Sequence, residues 1–283
     1  MSDQLPGPSI WLTMAEARAM LEGSATAALW PLLRRLPRGD GHPVLVLPGF
    51  LATSRSTAML RSFLQEQGYA AHRWRQGRNR GFSPTLERRM QDRVKRLTDQ
   101  HGERVSLVGW SLGGIYAREL ARDLPDHVRQ VVTLGSPFAG RGTGTNVRWL
   151  FDLVSDTTVN DVDQDYLNRI RKAPPVPTTA IFSRTDGVAT WRASLEEISH
   201  PQVENIEVGG SHIGLGFNFR ALWVIGDRLA QAPQAWQPFA PRGGLKLLFP
   251  WVENQLTQRR GGLARALTEL RSTVDSLDER FAG

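Results

Sequence analysis

The chain has 283 residues, of which 40% are hydrophobic and 22% charged. That is enough apolar material for one large α/β domain with decorations and fits two small domains less well. Cysteine is absent, which excludes disulfides, thiolate chemistry and cysteine-ligated zinc or iron–sulfur centres. The net charge of +7 is carried mostly by arginine; arginine pervades the chain and no recognition motif accompanies it, so solvated faces account for the excess and no nucleic-acid partner is expected.

In chain order, the opening Met1-Ser2-Asp3-Gln4-Leu5-Pro6-Gly7-Pro8 has neither a basic leader nor an apolar core segment. No uncharged apolar run reaches about 18 residues, and the expectation is a soluble, cytoplasmic protein. Residues 1–36 read as an N-terminal helical extension. Its helix runs from Leu12 to Leu36 with Thr13 as a cap, and ends in Trp30-Pro31-Leu32-Leu33-Arg34-Arg35. That aromatic and basic end can lie on a membrane surface as a peripheral contact, but packing against the domain is the commoner outcome for such a helix.

Residues 37–240 read as the main domain. Short apolar runs alternate there with helical patterns, the rhythm of a mostly parallel sheet with helices on both faces. Strands are predicted at Val44 to Leu47, Ala70 to Trp74, Val105 to Val108, Val131 to Leu134, Thr178 to Phe182 and Glu204 to Val208. Helices are predicted at Ser56 to Gln67 and Thr85 to Gln100, the second from Leu86, Met90, Val94 and Leu97. The segment Arg73, Arg75, Arg78, Arg80 forms a basic loop that could face phosphates or an anionic surface, although the arginine bias of the whole chain, with solvated faces, explains it better.

At about 139–177 the rhythm breaks. A glycine-rich turn from Gly140 to Thr145 and a run containing Asp152, Asp156, Asp161, Asp163 and Asp165 read as a cap or lid insertion. The glycines lack phosphate-loop spacing and the aspartates lack calcium-loop spacing, so neither a cofactor nor a metal is expected. Residues 241–283 read as a linker and an amphipathic helix. In that helix Leu263, Leu267, Leu270, Val274, Leu277 and Phe281 form a short heptad seam, suited equally to packing on its own domain and to a homo-oligomer contact.

The chemistry concentrates at Gly109-Trp110-Ser111-Leu112-Gly113, directly after an apolar strand and directly before a helical segment. A serine in so tight a strand-to-helix turn is strained and exposed, and Gly109 and Gly113 relieve the crowding around it: a nucleophile elbow. A serine hydroxyl needs an imidazole to take its proton and a carboxylate to orient that imidazole. Of six histidines, His212 follows the last predicted strand in the glycine-framed loop Gly209 to Gly216, read as mobile. His200 precedes that strand and is the rival. Asp186 leaves the preceding strand at its carboxyl end, with Asp152, Asp156 and Asp161 as weaker alternatives in the insertion. Two backbone N–H groups should meet the oxyanion: that of Leu112, at the helix start, and that of Phe50, in the turn Pro48-Gly49-Phe50-Leu51 after the first core strand.

From about Pro43 to Leu229 the chain resembles the α/β-hydrolase superfamily, in particular its bacterial lipase- and esterase-like group. The resemblance rests on Leu47-Pro48-Gly49-Phe50, Val108 to Gly114, Thr133 to Gly140, Ser183 to Gly187 and Gly210-Ser211-His212. It implies an α/β-hydrolase fold and a Ser-Asp-His order along the chain. Phe138 and Pro48 stand where triacylglycerol lipases often carry histidines, which argues against long-chain triglycerides as substrates. The reading is a serine hydrolase of carboxylic esters, acting on a small-molecule or lipid ester through an acyl-enzyme. Its competitors are an acyltransferase using the same site and a non-catalytic binding protein on the same fold. Trp110, Trp149 and Trp191 are candidates for shaping the pocket.

Overall fold

The computed structural model describes residues 7–139, 169–254 and 257. The core is a sheet of seven strands in the order β2-β1-β3-β4-β5-β6-β7. The strands are β1 (Pro43–Leu47), β2 (Ala70–His72), β3 (Val105–Trp110), β4 (Val128–Leu134), β5 (Thr178–Phe182), β6 (Val203–Glu207) and β7 (Val252–Asn254). All neighbours run parallel except β6 and β7, which are antiparallel. Strands β1, β3, β4 and β5 are buried at every position, which is why they read as unbroken apolar runs: a parallel sheet is covered on both faces.

Side chains alternate across that sheet. Val44 and Val46 pack with Leu60, Phe63, Val108, Val132, Leu222 and Ile225 on one face, whereas Leu45 and Leu47 pack with Met90, Val94, Leu97, Leu107, Ile115 and Leu120 on the other. The period-two alternation of a strand thus builds two cores from one sequence run. The first face is covered by α3 (Ala58–Glu66) and α6 (Phe219–Leu229), the second by α4 (Pro84–His101) and α5 (Leu112–Asp123).

Local sequence explains α4 well. Ser83 caps it by accepting from the Leu86 N–H at 3.1 Å, and Pro84 occupies the first turn, where no N–H is needed. Gly102 ends it in the left-handed region at φ 66°. Met90, Val94 and Leu97 form its buried stripe, as their spacing predicts.

The N-terminal region departs from the single helix expected there. It consists of α1 (Ile10–Met14), a 3₁₀ turn over Ala15–Arg18 and α2 (Ala19–Leu33). Ser9, not Thr13, caps α1, and the Thr13 hydroxyl instead donates to the Gly187 carbonyl at 2.8 Å. Helix α2 is anchored by fully buried Leu33 and by the Trp30 indole, which donates to Glu66 Oε2 at 2.7 Å at the end of α3. Ile10, Trp11, Met14, Met20 and Leu21 stay exposed.

Strand β7 has no counterpart among the predicted strands; at three residues on a sheet edge it is too short to carry a pattern. Strand β2 stops at His72, and Trp74, the expected end of the strand, is fully buried against the Tyr116 ring at 5.6 Å. The glycine-rich and aspartate-rich part of the lid expected at 139–177, including Trp149, and the heptad seam of the C-terminal helix lie outside the described residues. Among the described residues no helix is long and apolar enough to cross a membrane.

Candidate active site

Successive strands are stitched together at their carboxyl ends. The N–H of Ser111 donates to Leu134 O at 2.8 Å, that of Gly135 to Ile181 O at 2.9 Å and that of Val208 to Phe182 O at 2.8 Å. The turn at Phe50, Ser111, Asp186 and His212 follow the carboxyl ends of β1, β3, β5 and β6 along this rim, where ligands of open α/β sheets bind.

Ser111 stands between β3 and α5 with φ 54° and ψ −123°. A non-glycine residue in this region stores about 1–3 kcal/mol of strain and persists only when its surroundings enforce it. The enforcement is visible in the flanking glycines. A Cβ on Gly109 would lie 2.3 Å from Gly113 O, and one on Gly113 would lie 2.3 Å from Leu47 O, so strand, turn and helix close together only without side chains at those two positions.

Asp186 and His212 meet. His212 Nδ1 and Asp186 Oδ2 are 2.6 Å apart, and the two residues are 6% and 3% exposed. The second carboxylate oxygen of Asp186 accepts from the N–H groups of Val188 at 2.8 Å and Ala189 at 2.7 Å, which fixes the carboxylate plane. Burial works against a charged imidazole, but the charge and hydrogen bond of Asp186, joined by the charge of Glu16, outweigh it and raise the pKa of His212. The Trp110 indole, adjacent to Ser111 in the chain, donates to the His212 carbonyl at 3.0 Å and ties the elbow to the histidine loop. Gly135 lies beneath the pair: a Cβ there would be 3.0 Å from Asp186 Oδ2 and 3.1 Å from His212 Nδ1.

The other histidines have different surroundings. His200 Nε2 lies 3.0 Å from Pro174 O. His42 is buried between Asp40 and the Ser106 hydroxyl at the opposite end of the strands. His72 and His101 face each other at 3.0 Å, and burial together with the charge of His101 pushes His72 down to about 4. Asp152, Asp156 and Asp161 lie outside the described residues.

The turn after β1 is held by a residue that sequence reasoning missed. Asn79, fully buried, donates from Nδ2 to Pro48 O at 2.9 Å, accepts the Leu51 N–H on its carbonyl at 2.7 Å and donates its own N–H to Ala52 O at 2.8 Å. Phe50 lies within this brace. A Cβ on neighbouring Gly49 would stand 3.2 Å from the Ser111 Cβ, so the turn passes directly beside the elbow. Leu112 opens α5, and its N–H belongs to the helix-start donors that lack an intrahelical acceptor. In sequence Asn79 sits among arginines, and nothing local distinguishes it from a loop asparagine.

Among the described residues there is no group of three or more histidines, cysteines or carboxylates that could hold a metal ion. A cavity of about 440 Å³ beside the histidine loop is lined by Ala17, Met20, Met59, Ile213 and Phe217. A larger one of about 690 Å³ lies between α2 and α6. Neither has Ser111, Asp186 or His212 in its wall.

A family model described as palmitoyl protein thioesterase matches residues 43–174, a stretch just short of half the chain that contains Ser111 but neither Asp186 nor His212. No curated protein matches the sequence. Among solved structures, lipase B of Aspergillus fumigatus is 16% identical with a TM-score of 0.53, over 76% of this chain and 58% of that one. This chain thus spans under two thirds of that lipase's length. The monoacylglycerol lipase of Paleococcus ferrophilus is 16% identical with a TM-score of 0.50, over 69% of this chain and 97% of that one. At such identities the likeness speaks to architecture, and together with the parallel sheet order and the strained turn after β3 it assigns the chain to the α/β-hydrolase fold.

Proposed function

We propose that the protein is a serine hydrolase of carboxylic esters, with Ser111 as nucleophile, His212 as general base and acid, and Asp186 as the group that orients and stabilises the imidazole. The observation that carries this reading is the coexistence, on one rim of the sheet, of a strained elbow serine and a buried Asp186–His212 pair at 2.6 Å. Asp186 occupies Nδ1 and leaves Nε2 for the serine proton. In the first half-reaction the serine oxygen bonds to the acyl carbon while its proton passes to Nε2. The tetrahedral species then expels the leaving group, which takes that proton. In the second half-reaction water gives a proton to Nε2, attacks the acyl carbon and releases the acid, and the proton returns to Ser111.

The N–H groups of Leu112 and Phe50 are the donors for the intermediate's oxyanion, each contributing on the order of 3 kcal/mol of barrier lowering in such sites. The start of α5 adds its positive end to the same region. Lipase neighbours and the thioesterase model over the Ser111 segment support an acyl substrate.

A fluorophosphonate probe is expected to label the wild-type protein and not Ser111→Ala. On a graded series of p-nitrophenyl esters the variant should lose on the order of 10⁶-fold in kcat. A folded wild-type protein that is neither labelled nor active on any member of the series would refute the assignment.

A further inference from the structure

We infer that Glu16, in the N-terminal segment, is a positioning residue that clamps the acid-bearing and base-bearing loops together; the inference rests on the reading of Asp186 and His212 given above. Glu16 is 6% exposed and lies in the 3₁₀ turn between α1 and α2. Its Oε1 accepts from the N–H of Gly187 at 2.8 Å and from the N–H of His212 at 2.9 Å, and its Oε2 accepts from the N–H of Ile213 at 2.9 Å. One carboxylate therefore bridges the residue after Asp186 and the backbone of His212 itself. Charge-assisted bonds of this kind are roughly twice as strong as neutral ones, and their removal would leave the buried N–H groups of Gly187 and His212 without acceptors.

The rest of the N-terminal segment repeats the pattern. The Thr13 hydroxyl donates to Gly187 O at 2.8 Å, and Glu22 Oε1 accepts from the Ser211 N–H at 2.7 Å. The glycines of the two loops are cut to receive it. A Cβ on Gly187 would lie 2.2 Å from Leu12 O, and one on Gly214 would lie 1.9 Å from Glu22 Oε2. Gly187 and Gly214 thus serve close approach of the N-terminal segment, where the glycine-framed loop by itself suggests mobility. The segment lies outside residues 43–174, so this chain supplies its clamp from beyond the part that the thioesterase model matches.

Glu16 also reaches the chemistry through charge, because its carboxylate, bonded to the His212 backbone, favours the protonated form of that imidazole. Besides these two carboxylates, Glu22 faces the loop at Ser211. Two effects separate a positioning role from simple support. Glu16→Ala should lower kcat on the order of 10²-fold, the size of effect that a small misplacement of a reacting group produces, with KM little changed. Glu16→Gln keeps a carbonyl oxygen for the buried N–H groups of Gly187 and His212, gives up the acceptor of the more exposed Ile213 N–H, and removes the charge. It should retain most of kcat while the acid limb of kcat/KM moves to lower pH.

The experiment measures kcat, KM and the pH profile for wild type, Glu16→Ala and Glu16→Gln, with folding checked by circular dichroism. In parallel, ¹⁵N NMR titrates the His212 imidazole in the Ser111→Ala background with and without Glu16→Gln, which requires no turnover. A lower His212 pKa in the Gln variant, with the kcat loss confined to Ala, supports the clamp. Unchanged titration and unchanged kcat in a wild type whose activity depends on Ser111 overturn it, as does failure of both variants to fold, which would make Glu16 a general folding determinant. A wild type without Ser111-dependent activity refutes the catalytic reading instead, and the titration still tests whether Glu16 acts on His212.

Discussion

His212 sits in a contest between burial, which disfavours its charge, and two carboxylates, which favour it; the carboxylates prevail and the pKa is raised above 6.5. In the proposed role of general base it must be neutral, so the acid limb of kcat/KM is expected above the ordinary imidazole value, with activity lost as the pH falls through it. Stability follows the opposite sense. The protonated pair contributes fully below 6.5, the value of the unfolded chain, and that contribution fades as the pH rises through the folded pKa. Asp186→Asn should move the limb to lower pH and reduce kcat by about 10⁴-fold, since the amide cannot hold the imidazole in the required tautomer; a pH–rate series on both proteins checks both effects. Ser111, Asp186 and His212 are visible in sequence because each sits in a short local pattern at a strand end. Glu16 and Asn79 are not, because their partners lie 171 and 31 residues away.

At the scale of elements, the strand–turn–helix around Ser111 is built by steric exclusion. Gly113→Ala would place a methyl 2.3 Å from the Leu47 carbonyl oxygen, a backbone atom that cannot swing aside. The expected cost lies at or beyond the upper end of about 1–3 kcal/mol for overpacking, read as a lower midpoint in urea unfolding, with nucleophile labelling lost in parallel. Five of the parallel strands fall within a few residues of their predicted spans and β2 proves shorter, since a strand buried on both faces shows itself as an apolar run of limited length. The N-terminal helix was less legible. Its apolar residues and alanines fit one continuous helix, and only the pull of three loop N–H groups on Glu16 gives a reason for the 3₁₀ turn at Ala15–Arg18.

For the molecule as a whole, the elbow helix is tied to the rest of the domain by a buried ion pair. Arg118 of α5 meets Glu196 at 2.6 Å with both side chains fully buried, stacks over Phe138 at 3.5 Å and donates to the carbonyls of Ile170 and Lys172. Glu196→Ala would leave the guanidinium buried without its counter-charge, and a loss of about 3–5 kcal/mol is expected, measurable by chemical denaturation. Apolar periodicity, turn residues and the order of serine, aspartate and histidine were enough by themselves to set the fold class and nominate the site, because each is a local consequence of strand, turn and helix geometry. Only the tertiary structure could decide that Asp186 meets His212, that Asn79 braces the turn after β1, and that the N-terminal segment grips both loops. Those contacts depend on where distant backbone passes in space, and a buried carboxylate looks no different in sequence from one that faces water.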